Sequence, residues 1–457
     1  MNFPVNSARP TFAIKTFGCK VNQYESQAMR EALLNSGFEE KSDEKKNNFF
    51  IINSCTVTAK ADKDTRNAIR RFHRANPDGR IVVAGCYAEL DKDRETLLKM
   101  PGVARLIRNS EKADIAGILS SPLRVKPKPV SYRAGITGFK GRNRAFIKVQ
   151  DGCDYRCSYC KVSIVRGPSK SRCAEEIEGE ARGLVERGFK EIVLTGVCLG
   201  TWKDNVREEN SAGPCPPPWL TETGQNGAGG LAGLAKRLSR IDGKFRIRLS
   251  SIEPGHVTDR LIRVLKDEPR LCKHLHIPLQ SGDDKILKLM SRPYNTKKFM
   301  RLIKKIRKQI PDIAVTTDIM LGFPGEDSKS FQRTEKFIRA VKPSRMHVFS
   351  YSKRDGTAAA KLNGYTSKAE LRKRVYALID LSERFQNDFA RRFIGKPREI
   401  LIESRRDRFT GLLAGYTDRY VRVLTDGPDS LKNCLISVIP KKLTEPNQTP
   451  RLKGHIT

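Results

Sequence analysis

Residues 145–160 read AFIKVQDGCDYRCSYC. The first six form an apolar, β-type run, and a C-x3-C-x2-C segment (Cys153, Cys157 and Cys160) follows after a glycine. A strand that hands the chain straight to a loop of reactive residues is the pattern of α/β barrels. Their sites assemble beyond the carboxyl ends of parallel strands. Three thiolates this close cannot pair off as disulfides. As soft donors they suit three irons of a [4Fe–4S] cluster, with the fourth iron left open. Zinc normally takes a fourth protein ligand, and none is adjacent.

Working outward, the runs EIVLTG (191–196), FRIRLSS (245–251), HLHIPLQ (274–280), IAVTTDIM (313–320) and MHVFSY (346–351) alternate with helical patterns. Those patterns cover residues 174–186, 231–239, 257–266, 297–309 and 331–340. Six such units over 145–393 predict a partial (β/α)6 barrel in preference to an open doubly wound sheet. Residues 202–230 interrupt the alternation with four prolines and five glycines. So long a loop is either functional or disordered.

Residues 11–122 show the same alternation, with strands FAIKTF (12–17), FFIIN (49–53), IVVAG (81–85) and VARLI (103–107). They predict a parallel α/β domain with helices on both faces. Cys19, Cys55 and Cys86 each stand one or two residues beyond a strand's carboxyl end. Three strands would thus deliver three thiolates to one sheet edge, where α/β folds place ligands. A second three-cysteine iron–sulfur site fits that placement, and three buried structural thiols are the alternative.

Residues 123–144 form a linker with basic residues and no acidic one, either merely solvated or facing RNA. From 394 to 457 the texture changes to short strands at 399–403, 409–415, 420–426 and 434–439. That predicts a small all-β domain of barrel or OB-like character. Across 457 residues, 87 Lys/Arg against 51 Asp/Glu give a net charge of +36, which suits a polyanionic partner. No apolar stretch approaches the ~18 residues of a span, and the first residues lack an apolar signal region. A membrane enzyme is excluded and a cytoplasmic location is expected. Eleven cysteines then point to metal or redox chemistry and not to a disulfide framework.

These motifs resemble the methylthiotransferase family of radical S-adenosylmethionine enzymes. TFGCKVNQYES (16–26), NSCTV (53–57) and AGCYA (84–88) look like its N-terminal domain. VQDGC (149–153) through Cys160, with Arg166-Gly167, looks like its radical core. RLSSIEP (248–254), HIPLQSG (276–282) and DIMLGFPGE (318–326) match further family motifs, and residues 394–457 resemble the RNA-binding TRAM domain. The string Lys20-Val21-Asn22-Gln23 looks most like the threonylcarbamoyladenosine tRNA branch. The isopentenyladenosine branch tends to carry Gln-Met-Asn there, and the ribosomal-protein branch Pro-Lys-Asn.

The resemblance implies that Cys153, Cys157 and Cys160 hold a [4Fe–4S] cluster that binds S-adenosylmethionine and cleaves it to a 5′-deoxyadenosyl radical. It implies that Cys19, Cys55 and Cys86 hold a second [4Fe–4S] cluster presenting the sulfur. A methylthio group would pass to C2 of N6-threonylcarbamoyladenosine beside the anticodon. The implied partners are a tRNA anticodon stem-loop and a one-electron reductant of flavodoxin or ferredoxin type, with no membrane and a monomeric chain. The readings left beside it are an isopentenyladenosine or ribosomal-protein substrate, or a non-catalytic iron–sulfur RNA-binding protein. Gly196, Ser251, Gln280 and Gly322 stand at or near strand ends, where they line a cofactor pocket or serve ordinary turn chemistry. Tyr159 packs beside the cofactor or in the core. No catalytic residue is assigned beyond the clusters. Two features depart from the family: Cys198 stands where relatives carry Asn, and the 202–230 insert is longer than usual. Cys173, Cys215, Cys272 and Cys434 read as incidental thiols, and the six histidines form no ligand pattern.

Overall fold

A computed structural model describes residues 9–43, 46–120, 135–204, 230–443 and 452–456. Most of the 202–230 insert, residues 121–134 of the basic linker and Cys215 lie outside the described residues.

The chain begins β1 (Thr11–Thr16), α1 (Lys20–Asn35), β2 (Glu39–Glu40), β3 (Phe49–Ser54), α2 (Ala59–Ala75), β4 (Arg80–Gly85), α3 (Asp91–Leu98), β5 (Val103–Ile107) and α4 (Ile115–Ser120). The strands make one parallel sheet in the order β2-β1-β3-β4-β5. All six residues of β3 are buried, because helices cover both faces of a parallel sheet. Thr58 starts α2 by accepting the Ala61 backbone N–H, which satisfies an otherwise orphaned donor.

Next come β6 (Arg144–Lys148), β7 (Gln150–Asp151), α5 (Val162–Arg166), β8 (Lys170–Ser171), α6 (Ala174–Glu186), β9 (Glu191–Thr195), α7 (Gly230–Leu238) and β10 (Arg246–Leu249). They are followed by α8 (Asp259–Asp267), β11 (His274–His276), α9 (Asp284–Leu289), α10 (Thr296–Gln309), β12 (Ala314–Leu321), α11 (Ser328–Val341), β13 (Arg345–Ser350) and α12 (Lys368–Arg391). Strands β6, β9 and β10 pair in parallel, as do β11, β12 and β13. Bridges Ile247–Leu271 and Ser251–His276 join the two halves into the six-stranded partial barrel. The single run expected over 145–150 divides into β6 and β7, and β7 pairs with β8 to form a short antiparallel ribbon. The run expected over 274–280 stops at His276. Beyond it the Pro278 and Leu279 carbonyls accept the Tyr294 hydroxyl, while Ile277 and Gln280 still donate to the Thr316 and Asp318 carbonyls of β12.

The last element is a closed barrel of β14 (Arg398–Ile402), β15 (Leu413–Thr417), β16 (Arg422–Thr425), β17 (Leu435–Leu443) and β18 (Leu452–Ile456), in the order β14-β15-β16-β18-β17. The turn after β15 docks on the amino ends of the central strands. Arg246 donates to the Tyr416 carbonyl at 2.8 Å, Arg248 to that of Asp418 at 2.8 Å, and Arg419 pairs with Asp312 at 2.7 Å. Behind this contact the buried Glu191 carboxylate meets Arg246 at 2.6 Å, Arg248 at 2.8 Å and Arg144 at 3.4 Å. Part of the basic linker is also spoken for: Thr137 and Gly138 donate their backbone N–H groups to Glu31, and Lys140 pairs with Glu40.

Burial alone would raise the Glu191 carboxyl, but Arg248, Arg246 and Arg144 outweigh it and hold it well below the usual carboxylate range. A depressed carboxyl contributes stability above its unfolded value, near pH ~4.3, and loses it as pH falls toward the folded value. Thermal melts taken downward from about pH 5 should therefore steepen in the wild type. Glu191→Gln, already less stable at neutral pH, should show the shallower dependence, and parallel curves would remove Glu191 from the acid response.

Candidate functional site

Cys153, Cys157 and Cys160 leave the carboxyl end of β6 on one loop and line a single cavity of about 520 Å³ with Ser163, Gly167, Gly356 and Thr357. Gly152 has φ +71°, and a Cβ there would collide with the Pro168 carbonyl, so only glycine lets the loop leave β7 at this angle. The second triad rides on the first sheet. Cys19 starts α1 after β1, Cys55 follows β3 and Cys86 follows β4. Gly18, at φ +96°, is the matching hinge: a Cβ would sit 2.6 Å from that of Cys55. Cys55 and Cys86 are buried, Cys19 is exposed, and all three thiols lie within electrostatic reach of one another. The structure thus brings together both triads singled out in the sequence.

One buried network ties the triads to each other. Arg166 donates to Glu25 at 2.9 Å, to Asp151 at 2.9 Å and to Asn22 at 2.6 Å. Asp151 lies two residues before Cys153, and Asn22 three after Cys19. The Asn22 amide also donates to the Phe17 and Ser54 carbonyls at 2.8 Å, next to Cys19 and Cys55. Lys112 and Lys148 complete the ring around Glu25 at 2.5 and 3.0 Å. Burial opposes ionisation of Glu25, yet Arg166, Lys112 and Lys148 hold its carboxyl well below the usual range.

The donor set fits iron–sulfur ligation. Val162 and Val57 aim backbone N–H groups at the sulfurs of Cys160 (3.4 Å) and Cys55 (3.5 Å), and the Arg292 guanidinium lies 3.1 Å from that of Cys157. Hydrogen bonds to sulfur of this kind tune such clusters. Burial pushes the thiols of Cys55 and Cys160 up to about 11. Cys153 is the exception. A hydrogen bond with Cys198 pulls its thiol down to about 7 against the effect of burial. Loading a cluster must therefore release protons from Cys55 and Cys160.

Arg292 and the grouping of His276 and His347 around Asp318 escaped the sequence reading, and Cys198 was noted there only as a departure from the family. Arg292 is buried, stacks over the Tyr294 ring at 4.9 Å and pairs with Glu253, linking the Cys157 loop to the end of β10. Cys198, the departure from the family pattern, is the buried neighbour of Cys153, and its backbone N–H donates to Gln150. His276 and His347 are not patternless, because β11, β12 and β13 are adjacent. Their ring nitrogens lie 3.1 and 3.3 Å from the Asp318 carboxylate. Cys173 carries a disulfide and is not the free thiol expected. Of the four candidate cofactor contacts, Ser251 lines a cavity between the central barrel strands, α12 and the C-terminal barrel. Gly196 packs against Gln150, and Gly322 donates its N–H to Glu326. Gln280 sits at φ 67° with its side-chain oxygen buried and unpartnered, which leaves an acceptor available to a bound group. Tyr159 packs edge-on against Phe323 at 6.5 Å, the core reading of that residue.

A six-stranded partial barrel with three cysteines on the loop after its first strand defines a radical S-adenosylmethionine enzyme. The comparisons agree. Residues 147–338 match the radical SAM superfamily, and residues 11–108 match a family described as uncharacterized protein family UPF0004. The chain is 34% identical over 441 residues to the threonylcarbamoyladenosine tRNA methylthiotransferase MtaB of Bacillus subtilis, covering 94% of this chain and 93% of that one. It is 35% identical over 416 residues to the MtaB of Thermotoga maritima, covering 90% of each. A tRNA-2-methylthio-N(6)-dimethylallyladenosine synthase of Jannaschia sp. is 33% identical over 443 residues, covering 93% of this chain and 90% of that one. The chain belongs to the radical SAM methylthiotransferases. Such enzymes use a [4Fe–4S] cluster and S-adenosylmethionine. Among solved structures, the radical SAM methyltransferase TsrM of Kitasatospora setae shares the fold, with a TM-score of 0.51 at 14% identity over 75% of this chain and 73% of that one. Among the described residues no helix is long and apolar enough to cross a membrane.

Proposed function

We propose that this enzyme transfers a methylthio group to C2 of N6-threonylcarbamoyladenosine beside the anticodon of tRNA, in the cytoplasm. The observation that carries the reading is the likeness to the two MtaB relatives, at 34 and 35% identity over nine-tenths or more of each chain. In this reading Cys153, Cys157 and Cys160 hold the radical cluster, and Cys19, Cys55 and Cys86 hold a second one. Gly196, Ser251, Gln280 and Gly322 remain candidates for cofactor contact. When bound, the clusters and S-adenosylmethionine supply one-electron bond cleavage and the sulfur. A flavodoxin- or ferredoxin-type protein supplies the electron.

The chain's own residues supply position. The Arg166–Glu25 network ties the loop of one triad to that of the other, and in this reading that tie lets substrate carbon, radical source and sulfur meet without a search. Arg292 offsets negative charge on Cys157 and passes the constraint to Glu253. The β-barrel brings 12 Lys/Arg against 7 Asp/Glu over residues 393–457, a charge excess suited to phosphate contacts that orient an RNA.

The test uses reconstituted protein, dithionite and two anticodon stem-loops that differ only in the N6 group. The threonylcarbamoyl stem-loop should gain methylthio, with 5′-deoxyadenosine formed alongside. Turnover of the isopentenyl stem-loop alone would transfer the chain to the sister activity, and no 5′-deoxyadenosine with either would point to a non-catalytic protein.

A further inference from the structure

A cavity of about 400 Å³ lies between the central barrel strands, α12 and the C-terminal barrel. Strands β10 to β13 supply most of its wall, the turn after β15 supplies its floor, and Lys20 reaches it from the first turn of α1. Lys20 follows Cys19 directly in the chain, so the cavity and the second triad are neighbours. The other triad is connected as well: Glu253, which pairs with Arg292 beside Cys157, is within electrostatic reach of His276 and Asp318 on the cavity wall.

The lining is strongly one-sided. It holds Lys20, Arg248, Arg345, Arg419 and Arg422 against one carboxylate, Asp318. Three of the five cations already have partners: Arg248 has Glu191, Arg419 has Asp312 and Arg422 has Asp407. Among the described residues the Lys20 ammonium and the Arg345 guanidinium have neither an ion pair nor a side-chain hydrogen-bond partner, while the Arg345 backbone sits in the β12–β13 ladder. Asp318 is also occupied. It takes both His276 and His347, and together these bonds outweigh burial and hold its carboxyl well below the usual range. His276 is fixed from behind by Thr316 at 2.9 Å.

These three residues resemble a two-histidine, one-carboxylate metal set, and their ligand atoms lie within 4.8 Å of one another. The surroundings argue against a cation there. A divalent ion would add positive charge to a cavity that already holds two unmatched cations. A ligand with a carboxylate removes that repulsion. It can accept hydrogen bonds from the Arg345 fork and the Lys20 ammonium, and charge-assisted bonds of this kind are the strong ones.

We infer that Lys20 and Arg345 form the receptor for the carboxylate on the N6 substituent of the substrate adenosine. The inference rests on the substrate reading above and adds which side chains read it. The receptor is assembled from two domains: Lys20 comes with the sulfur-bearing triad and Arg345 with the barrel. Arg345 is exposed and Lys20 half-buried, so a substrate lacking the carboxylate forfeits two charge-assisted hydrogen bonds, and the site disfavours it through that loss.

The test uses full-length protein with both clusters reconstituted. One stem-loop carries the threonylcarbamoyl group, a second its carboxamide, in which the carboxylate is a neutral amide. The wild type should prefer the carboxylate in kcat/KM for methylthio formation by about tenfold or more, the size of a charged hydrogen bond. Lys20→Gln and Arg345→Gln should each lower that ratio severalfold. Lys20→Arg and Arg345→Lys should keep most of it, which a merely structural defect would not do. A wild-type ratio near one, or glutamine variants that lose both substrates in equal measure, overturns the receptor while leaving the threonylcarbamoyl activity standing. Methylthiolation of an isopentenyl stem-loop with none on the threonylcarbamoyl one overturns the substrate reading, and the receptor with it.

Discussion

Replacing Cys153, Cys157 and Cys160 together by alanine should halve the iron of anaerobically reconstituted protein, from about eight to about four per chain. It should also abolish reductive cleavage of S-adenosylmethionine, because those three thiols, and none of the second triad, line the cavity of about 520 Å³ at the cysteine loop. Replacing Cys19, Cys55 and Cys86 should halve the iron too. Cleavage should then continue while methylthio transfer stops, since these thiols stand on another sheet and leave the first loop intact. Iron by colorimetry and 5′-deoxyadenosine by chromatography read the two effects separately. Full iron in the second triple variant would remove the auxiliary cluster from the account.

The second large effect is expected at Glu25. Its carboxylate is 1% exposed and faces Arg166, Lys112 and Lys148. Glu25→Ala would leave three cations around an empty centre, with Asp151 the remaining partner for Arg166 and Lys148. Breaking a buried ion network from one side costs about 3–5 kcal/mol. A denaturant titration should show that loss. The functional signature is sharper: cleavage of S-adenosylmethionine should uncouple from methylthio formation, because Arg166, which bridges Asn22 and Asp151, loses the carboxylate that seats it. A variant with unchanged stability and coupling would show the network to be incidental.

Much of this site could be read along the chain because its ligands follow a local rule. Cys153, Cys157 and Cys160 lie within eight residues, and Cys19, Cys55 and Cys86 each follow an apolar run of strand type. The barrel strands announced themselves in the same way, since parallel strands covered on both faces read as continuous apolar segments. What escaped depends on contacts between distant residues. Glu25 and Arg166 are 141 positions apart, and Arg292 and Cys157 are 135 apart. No periodicity marks either pair. His276, Asp318 and His347 become neighbours only once β11, β12 and β13 are placed side by side. Residues 452–456 were not expected as a strand, because a five-residue segment with Gly454 and no alternation gives no signal. It pairs there because β16 and β17 each offer it a free edge. Basic residues misled in one respect. Lys140 and Arg144, counted toward an RNA-facing strip, are committed to Glu40, Glu191 and Glu403.

The activity proposed for this enzyme is methylthio transfer to threonylcarbamoyladenosine in tRNA. Its most direct test is mass spectrometry of tRNA nucleosides from cells that lack this protein and then regain it. The account predicts that 2-methylthio-N6-threonylcarbamoyladenosine disappears on loss and its unmethylthiolated precursor accumulates. Both should revert with the wild-type gene and not with the Cys153, Cys157 and Cys160 triple variant. A change confined to the isopentenyladenosine derivative, or no change in any methylthio nucleoside, would contradict it.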